Sequence, residues 1–265
     1  TPSTTYEKHT SVMDTDSSVP SNIKSGIETR IEDFVEACND GNYQKAFDML
    51  SDDCKEFAFD NNIETFMGHV LTKMPTPKKY AIQDYSNIKI GNKKVYIYNV
   101  KFFDDFLATG LTNQDYLYTE DKFMFYQGND SLEMNIGDYM YHGEVKRISE
   151  NEYMKLDIEE RTVNYSIETY KIKLTNKSPY TIVVADGQET DEVILQLPNE
   201  YRIRSETYDI VLEPGESTEL DMVFKKFVDD GDTSQAITLT SVRVMEKYSG
   251  TENIDESVIQ DEINN

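Results

Sequence analysis

The side chains in this 265-residue chain that could carry acid–base or ligand chemistry are few and scattered. There are three histidines: His9, His69 and His142. A single histidine can serve as a base when a partner orients its ring. His69, three residues after Phe66 on a helical stripe, is the best placed of the three, and no partner is evident nearby in sequence. No His-Glu-x-x-His or Cys-x-x-Cys spacing occurs, so the pattern offers no metal centre. Acid pairs recur at Asp52-Asp53, Asp104-Asp105, Glu159-Glu160 and Asp229–Asp232. Neighbours on a strand point to opposite faces, so such pairs cannot flank one scissile bond by themselves. The Asp229–Asp232 loop clusters oxygens but lacks the alternating ladder and terminal Glu of a calcium hand, and reads as a solvated acidic turn. Phosphate-cradling glycine motifs and a Gly-x-Ser-x-Gly elbow are absent. No catalytic residue and no cofactor is assigned.

Two cysteines, Cys38 and Cys54, permit one disulfide. The short loop it would close would stabilise by ~3 kcal/mol on the chain-entropy estimate. Both lie in apolar helical contexts, so two buried thiols are the other reading. An oxidising compartment favours the bridge.

The elements that must position these residues change period at Pro75-Thr76-Pro77. Before it, apolar residues recur at helical spacing. Ile27, Ile31, Phe34, Val35 and Cys38 form one stripe, predicting a helix from about Gly26 to Asn39 with Ser25 and Glu28 as a capping box. A short helix follows from Tyr43 to Leu50, then a turn capped by Ser51 through Phe59. Another helix spans about Asn62 to Lys73, started by Asn61 with Glu64 and striped by Ile63, Phe66, Met67, Val70 and Leu71. After the prolines, alternation predicts strands. Tyr80–Ile90 and Lys93–Phe103 form a hairpin around Gly91-Asn92, and Asp121–Tyr126 and Leu132–Ile136 form a second. Tyr96, Tyr98 and Phe102 share one strand face, and Phe123 and Phe125 share another. Short strands then run to Met245, with turns at Asn176–Pro179, Asp186-Gly187 and Glu213–Glu216. Glu252–Ile263 reads as a helical turn or two.

Helices followed by antiparallel strands argue for an α+β layer pair, and the later strands for an all-β sandwich. The Pro pair is a turn inside the first domain, because the helical stripes need a sheet to cover them. The seam falls near Gly143–Ser149. The expected division is a disordered tether at 1–24, an α+β domain at 25–145, a β-sandwich at 146–248 and an acidic tail at 249–265.

The formal net charge is −24, divided as −10 over residues 1–150 and −14 over 151–265. That argues against nucleic-acid binding through clustered basic residues, and against an anionic membrane surface as direct partner. No stretch has the ~18 apolar residues of a membrane span. The Ser/Thr-rich start without Met reads as a mature chain whose leader or anchor was removed. The expectation is a protein outside the cytoplasm, anchored at the cell surface; a trimmed cytosolic protein is the other reading.

Residues 26–74 resemble the helical opening of the nuclear transport factor 2-like superfamily, carried by the run Phe34-Val35-Glu36-Ala37-Cys38-Asn39-Asp40-Gly41-Asn42-Tyr43-Gln44-Lys45-Ala46-Phe47-Asp48-Met49-Leu50-Ser51. The resemblance implies a cone of helices wrapped by a bent sheet over roughly 26–145. Residues 146–248 look like an immunoglobulin-like sandwich, on the phrases Tyr170–Ser178 and Leu212-Glu213-Pro214-Gly215-Glu216-Ser217. The second phrase is similar to turns in small sandwich domains of bacterial surface lipoproteins. Together the halves resemble exported, anchored Gram-positive proteins. A cone implies an interior pocket, whose candidate lining is Tyr43, Phe66, His69, Tyr96, Tyr98, Phe123 and Phe125. Those residues either line a pocket or pack the core. The implied function is a non-catalytic surface or envelope module with a protein partner. The alternative is a small-molecule binder or acid–base enzyme using the aromatic pocket.

Overall fold

A computed structural model describes residues 19–90, 93–104, 118–127, 132–187, 193–197, 202–205, 208–226, 234, 236–245 and 257–264. The chain is mixed α+β, with helices first and antiparallel strands after them. It divides into two compact units, Thr1–Met140 and Tyr141–Asn265. The dividing point lies inside one continuous strand, Tyr139–Glu150, just ahead of the expected seam. The turns at Gly91-Asn92 and Gly128–Asp130, the stretch 105–116 and the Asp229–Asp232 loop lie outside the described residues.

In the first unit, helix α1 spans Ser21–Asn39 and buries Ile27, Ile31, Phe34, Val35, Ala37 and Cys38, the predicted stripe. It begins five residues earlier than Gly26, and the Ser25–Glu28 capping box does not form. Pro20 precedes the first turn with φ −53° and no side chain caps the amides, while the Ser25 hydroxyl donates to the Asn22 carbonyl at 3.2 Å. Burial explains the longer helix: Val19 is buried and Ile23 packs on the same core, so the first turn has apolar anchors. Helices α2 (Tyr43–Asp48), α3 (Asp52–Phe59) and α4 (Ile63–Lys73) follow. Ser51 caps α3 by accepting from the Cys54 amide at 3.1 Å. Asn62, rather than Asn61, caps α4, accepting from the amides of Glu64 at 2.7 Å and Thr65 at 3.4 Å. Leu71, expected on the buried stripe, is 42% exposed.

Strands β1 (Lys79–Ile90), β2 (Lys93–Phe103), β3 (Tyr118–Gln127) and β4 (Leu132–Ile136) form an antiparallel sheet in chain order. Tyr85 pairs with Tyr98, and Tyr98 with Phe123, across neighbouring strands. The even face of β2, with Tyr96, Tyr98, Val100 and Phe102, shares one apolar core with all four helices. Gly137 and Asp138, with φ 67° and 66°, make the turn from β4 into β5 (Tyr139–Glu150). Two positive φ values in succession are those of a type I′ hairpin turn.

Among its described residues the second unit's regular elements are all strands. β5 continues into a four-stranded sheet ordered β12-β7-β6-β5, with β6 at Met154–Asn164, β7 at Glu168–Asn176 and β12 at Ser217–Phe224. β8 (Thr181–Val184), β9 (Val193–Gln196), β10 (Arg202–Arg204), β11 (Ile210–Leu212) and β13 (Ala236–Met245) form another sheet. One apolar core takes residues from both, among them Tyr170, Ile172, Met222, Leu195 and Val242. Strand β7 alternates strictly, burying Glu168, Tyr170, Ile172, Leu174 and Asn176. The Pro214-Gly215 turn closes through the Glu216 amide on the Glu213 carbonyl at 2.9 Å. Gly215 has φ 77°, as a type II turn requires. Asn176 is fully buried and fully bonded: its amide donates to Tyr180 O (2.6 Å) and Leu212 O (2.9 Å), and its oxygen accepts from the amide and hydroxyl of Ser178.

The tail departs from the expected helical turns. Ser257–Asn264 is strand β14, antiparallel to β13. An unpaired strand edge offers a row of amides and carbonyls, and pairing with it satisfies both segments.

Candidate functional site

The seven residues proposed as pocket lining fall into the first unit's core and its margin. Phe66, Tyr96, Tyr98, Phe123 and Phe125 are at most 1% exposed, and Tyr43 is partly buried against them. Their rings pack on one another. Phe66 meets Phe34, Phe47 and Phe59 at centroid distances of 6.1, 5.2 and 5.5 Å. Phe123 meets Phe34 at 5.3 Å, and Tyr98 meets Phe125 at 5.9 Å. Most of these contacts are edge-on, the favoured geometry for buried rings.

His69 stands at the margin of this core on α4, and the fold supplies the partner the sequence did not reveal. Its Nε2 lies 2.7 Å from Oδ2 of Asp121 on β3. The other oxygen of Asp121 accepts from the Lys122 amide at 2.9 Å, and the side chain is 7% exposed. Facing a carboxylate, Nε2 is the N–H donor of the pair. The Phe59 ring lies 5.6 Å away on one side. Gly137 covers another side so closely that a Cβ there would come within 3.2 Å of Cε1. The signal for Asp121 was its register: it sits two residues before Phe123 on the inward face of β3, where a charge needs a partner.

A carboxylate-oriented imidazole is the first half of a general-base pair. Among the described residues, no hydroxyl or thiol is hydrogen-bonded to the ring as a group to be activated. Cys54 is buried, and that burial pushes its thiol up to about 12, far from a reactive thiolate. The same cause pushes Cys38 up to about 12. Of the two readings open for Cys38 and Cys54, the structure carries them as free, buried cysteines. Cys54 directs its sulfur to the Ile136 carbonyl at 3.9 Å, and Cys38 lies within the apolar stripe of α1. The neighbouring Asp138 carboxyl is raised above its ordinary range, first by burial and then by the charge of Asp121.

The His69 pair works as one of several ties between α4 and the start of β3. Lys73 Nζ donates to the Glu120 carbonyl at 2.8 Å, and the Thr119 hydroxyl donates to the Lys73 carbonyl. In the second unit Glu168 is a buried carboxylate, held by Arg161, by Tyr170 Oη at 2.6 Å and by Ser234 Oγ at 3.0 Å. A shallow groove of about 380 Å³ runs along β5 and β6, lined by Glu144, Lys146, Arg147, Ile148, Asp157 and Glu160. Its charges are partly paired: Lys146 meets Glu144, and Asp157 meets Lys155 at 2.9 Å. Among the described residues no group of three His, Cys, Asp or Glu side chains could hold a metal ion. No helix there is long and apolar enough to cross a membrane.

A scan against protein-family models and a search of curated proteins return no match to this chain.

Proposed function

We propose that this protein is a non-catalytic module of the cell surface or envelope that binds another protein or supports an assembly there. In this reading the first unit is a nuclear transport factor 2-like cone, the second an immunoglobulin-like sandwich, and both act outside the cytoplasm. One observation carries it: the aromatic side chains that would line a ligand pocket are buried against one another as core. A domain whose interior is filled by its own rings offers its outer surface for recognition. The test is photo-cross-linking in intact cells from exposed positions in both units, such as Glu36 and Glu219. The expected result is one discrete protein adduct whose binding is reproduced with the purified chain. A saturable small-molecule stabilisation with no protein adduct would reverse the reading.

A second reading, acid–base chemistry at His69, draws on the 2.7 Å contact with Asp121. It predicts that His69→Gln abolishes an activity while the adduct persists. Under the module reading that variant loses stability only.

A further inference from the structure

Strand β5 ends the sheet ordered β12-β7-β6-β5, so one of its edges meets no other strand among those described. An open edge presents a row of backbone N–H and C=O groups to any strand that reaches it. Val145 packs on the second unit's core, and beyond it Lys146, Arg147, Ile148 and Glu150 are exposed while Ser149 is half-buried. Ile148 is 64% exposed, the largest exposure of any large apolar side chain described. With Lys146 and Arg147 it lines the shallow groove along β5 and β6.

A lone exposed isoleucine needs no explanation. Its neighbours in sequence single this one out. Two cations, Lys146 and Arg147, precede Ile148, and an anion, Glu150, follows it. An antiparallel partner runs the opposite way. A second β5 centred on Ile148 therefore sets Ile148 against Ile148, and Glu150 of each copy against the Lys146–Arg147 pair of the other. Contacts within the chain leave these charges available. Arg147 has no ion pair among the described residues. Lys146 meets Glu144, and Glu150 meets Lys177 at 3.1 Å, but all four side chains are 37% exposed or more. Such exposed pairs contribute little and are readily exchanged. The backbone of Lys146, with φ 54°, interrupts the regular edge, which confines pairing to the residues around Ile148.

We propose that β5 is a self-association edge, at which two copies of this chain pair antiparallel through Lys146–Glu150 with Ile148 on the two-fold axis. Each copy uses its own open edge, so the contact closes as a dimer and joins the two sheets into one. The contact is short, and places the dimer in the weak, reversible class. The net charge of −24 on each copy opposes association until salt screens it. The pairing goes beyond the protein-binding reading and does not depend on it.

Sedimentation equilibrium of the full chain in ~0.15 M salt, from about 10 µM to about 1 mM, reads the association. The expected result is a reversible monomer–dimer equilibrium without larger species. Charge reversals then test the register. Glu150→Lys, and the double substitution Lys146→Glu with Arg147→Glu, should each weaken self-association at least tenfold. Mixed in equal amounts, the two variants should form a heterodimer as tight as the wild-type dimer, because each carries the charge that the other lacks. All three positions are exposed, and the wild-type measurement stands even if a variant fails to fold. A chain that stays monomeric throughout would overturn the proposal. So would a dimer that both reversals leave intact, or one that the mixture fails to restore. A strand of a different protein captured at β5, with the purified chain monomeric, would retire self-pairing and leave the module reading intact. A dimer with the expected register and no protein adduct in cells would retire the module reading alone.

Discussion

Glu168 shows how one residue can fix the second unit. It lies on the inward face of β7, 1% exposed, and burial alone would push its carboxyl up. Arg161 and Lys226 outweigh that, together with hydrogen bonds from Tyr170 and Arg161, and hold it below the ordinary range. Lys226 Nζ is 3.2 Å from Oε2 but off the hydrogen-bonding direction, so that contact is coulombic. A lowered folded-state pKa contributes stability above the unfolded value of about 4.3 and loses it as pH falls through the folded value. Glu168→Gln leaves Arg161 and Lys226 without their carboxylate, and should cost about 3–5 kcal/mol at pH 7 in urea unfolding. The difference from wild type should shrink below pH 4. Asp138 has the opposite sign. Its folded pKa is raised, so its ionised form is disfavoured at neutral pH and the cost fades as pH falls through that raised value. Asp138→Asn keeps a residue that tolerates φ 66° and should raise the melting temperature at pH 7. The gain should be about 0.5 kcal/mol after solvent screening and absent at pH 3. An equal gain at both pH values would assign the effect to packing. At this scale the sequence was partly legible. Inward register was the available signal for Asp121 and went unread, whereas its pairing with His69 depends on tertiary docking across fifty-two residues of chain.

Helix caps give the element-scale contrast. Asn62 and Ser51 both cap helices, but Ser51 also donates to Asn135 Oδ1 at 2.5 Å, and Asn135 is 3% exposed. Asn62→Ala removes a cap at an exposed site and should cost about 1 kcal/mol. Ser51→Ala removes a cap and strands a buried amide oxygen, and should cost about 2–3 kcal/mol. Equal losses in chemical denaturation would mean that the Asn135 contact contributes nothing. Local signals defined the elements well wherever apolar period and turn chemistry agreed. The bounds of β2, β4 and β13 follow directly from alternation between turn residues. They failed where long-range burial decided. The apolar anchors Val19 and Ile23 extend α1 past a good capping box. The tail's period, ambiguous in isolation, resolves into a strand because the edge of β13 is there to receive it.

At the scale of the molecule, the two apolar cores share no residue among those described, and each unit builds its own from one contiguous stretch of chain. Cooperativity follows from shared burial, so the two units should unfold as separate transitions. The chain carries its own reporters. Cys38 and Cys54 both lie in the first core, buried and unreactive while that core is closed. Their labelling by a thiol reagent under increasing urea reads the opening of the first unit alone. Far-ultraviolet circular dichroism reads both. Ser51→Ala should therefore move the labelling midpoint, and Glu168→Gln should leave it in place while lowering the other transition. The result that defeats this expectation is a labelling midpoint that shifts equally in both variants, since that would require the two cores to melt as one. Two transitions with separable mutational shifts would instead let either unit's surface be altered, in searches for a partner, without unfolding the other.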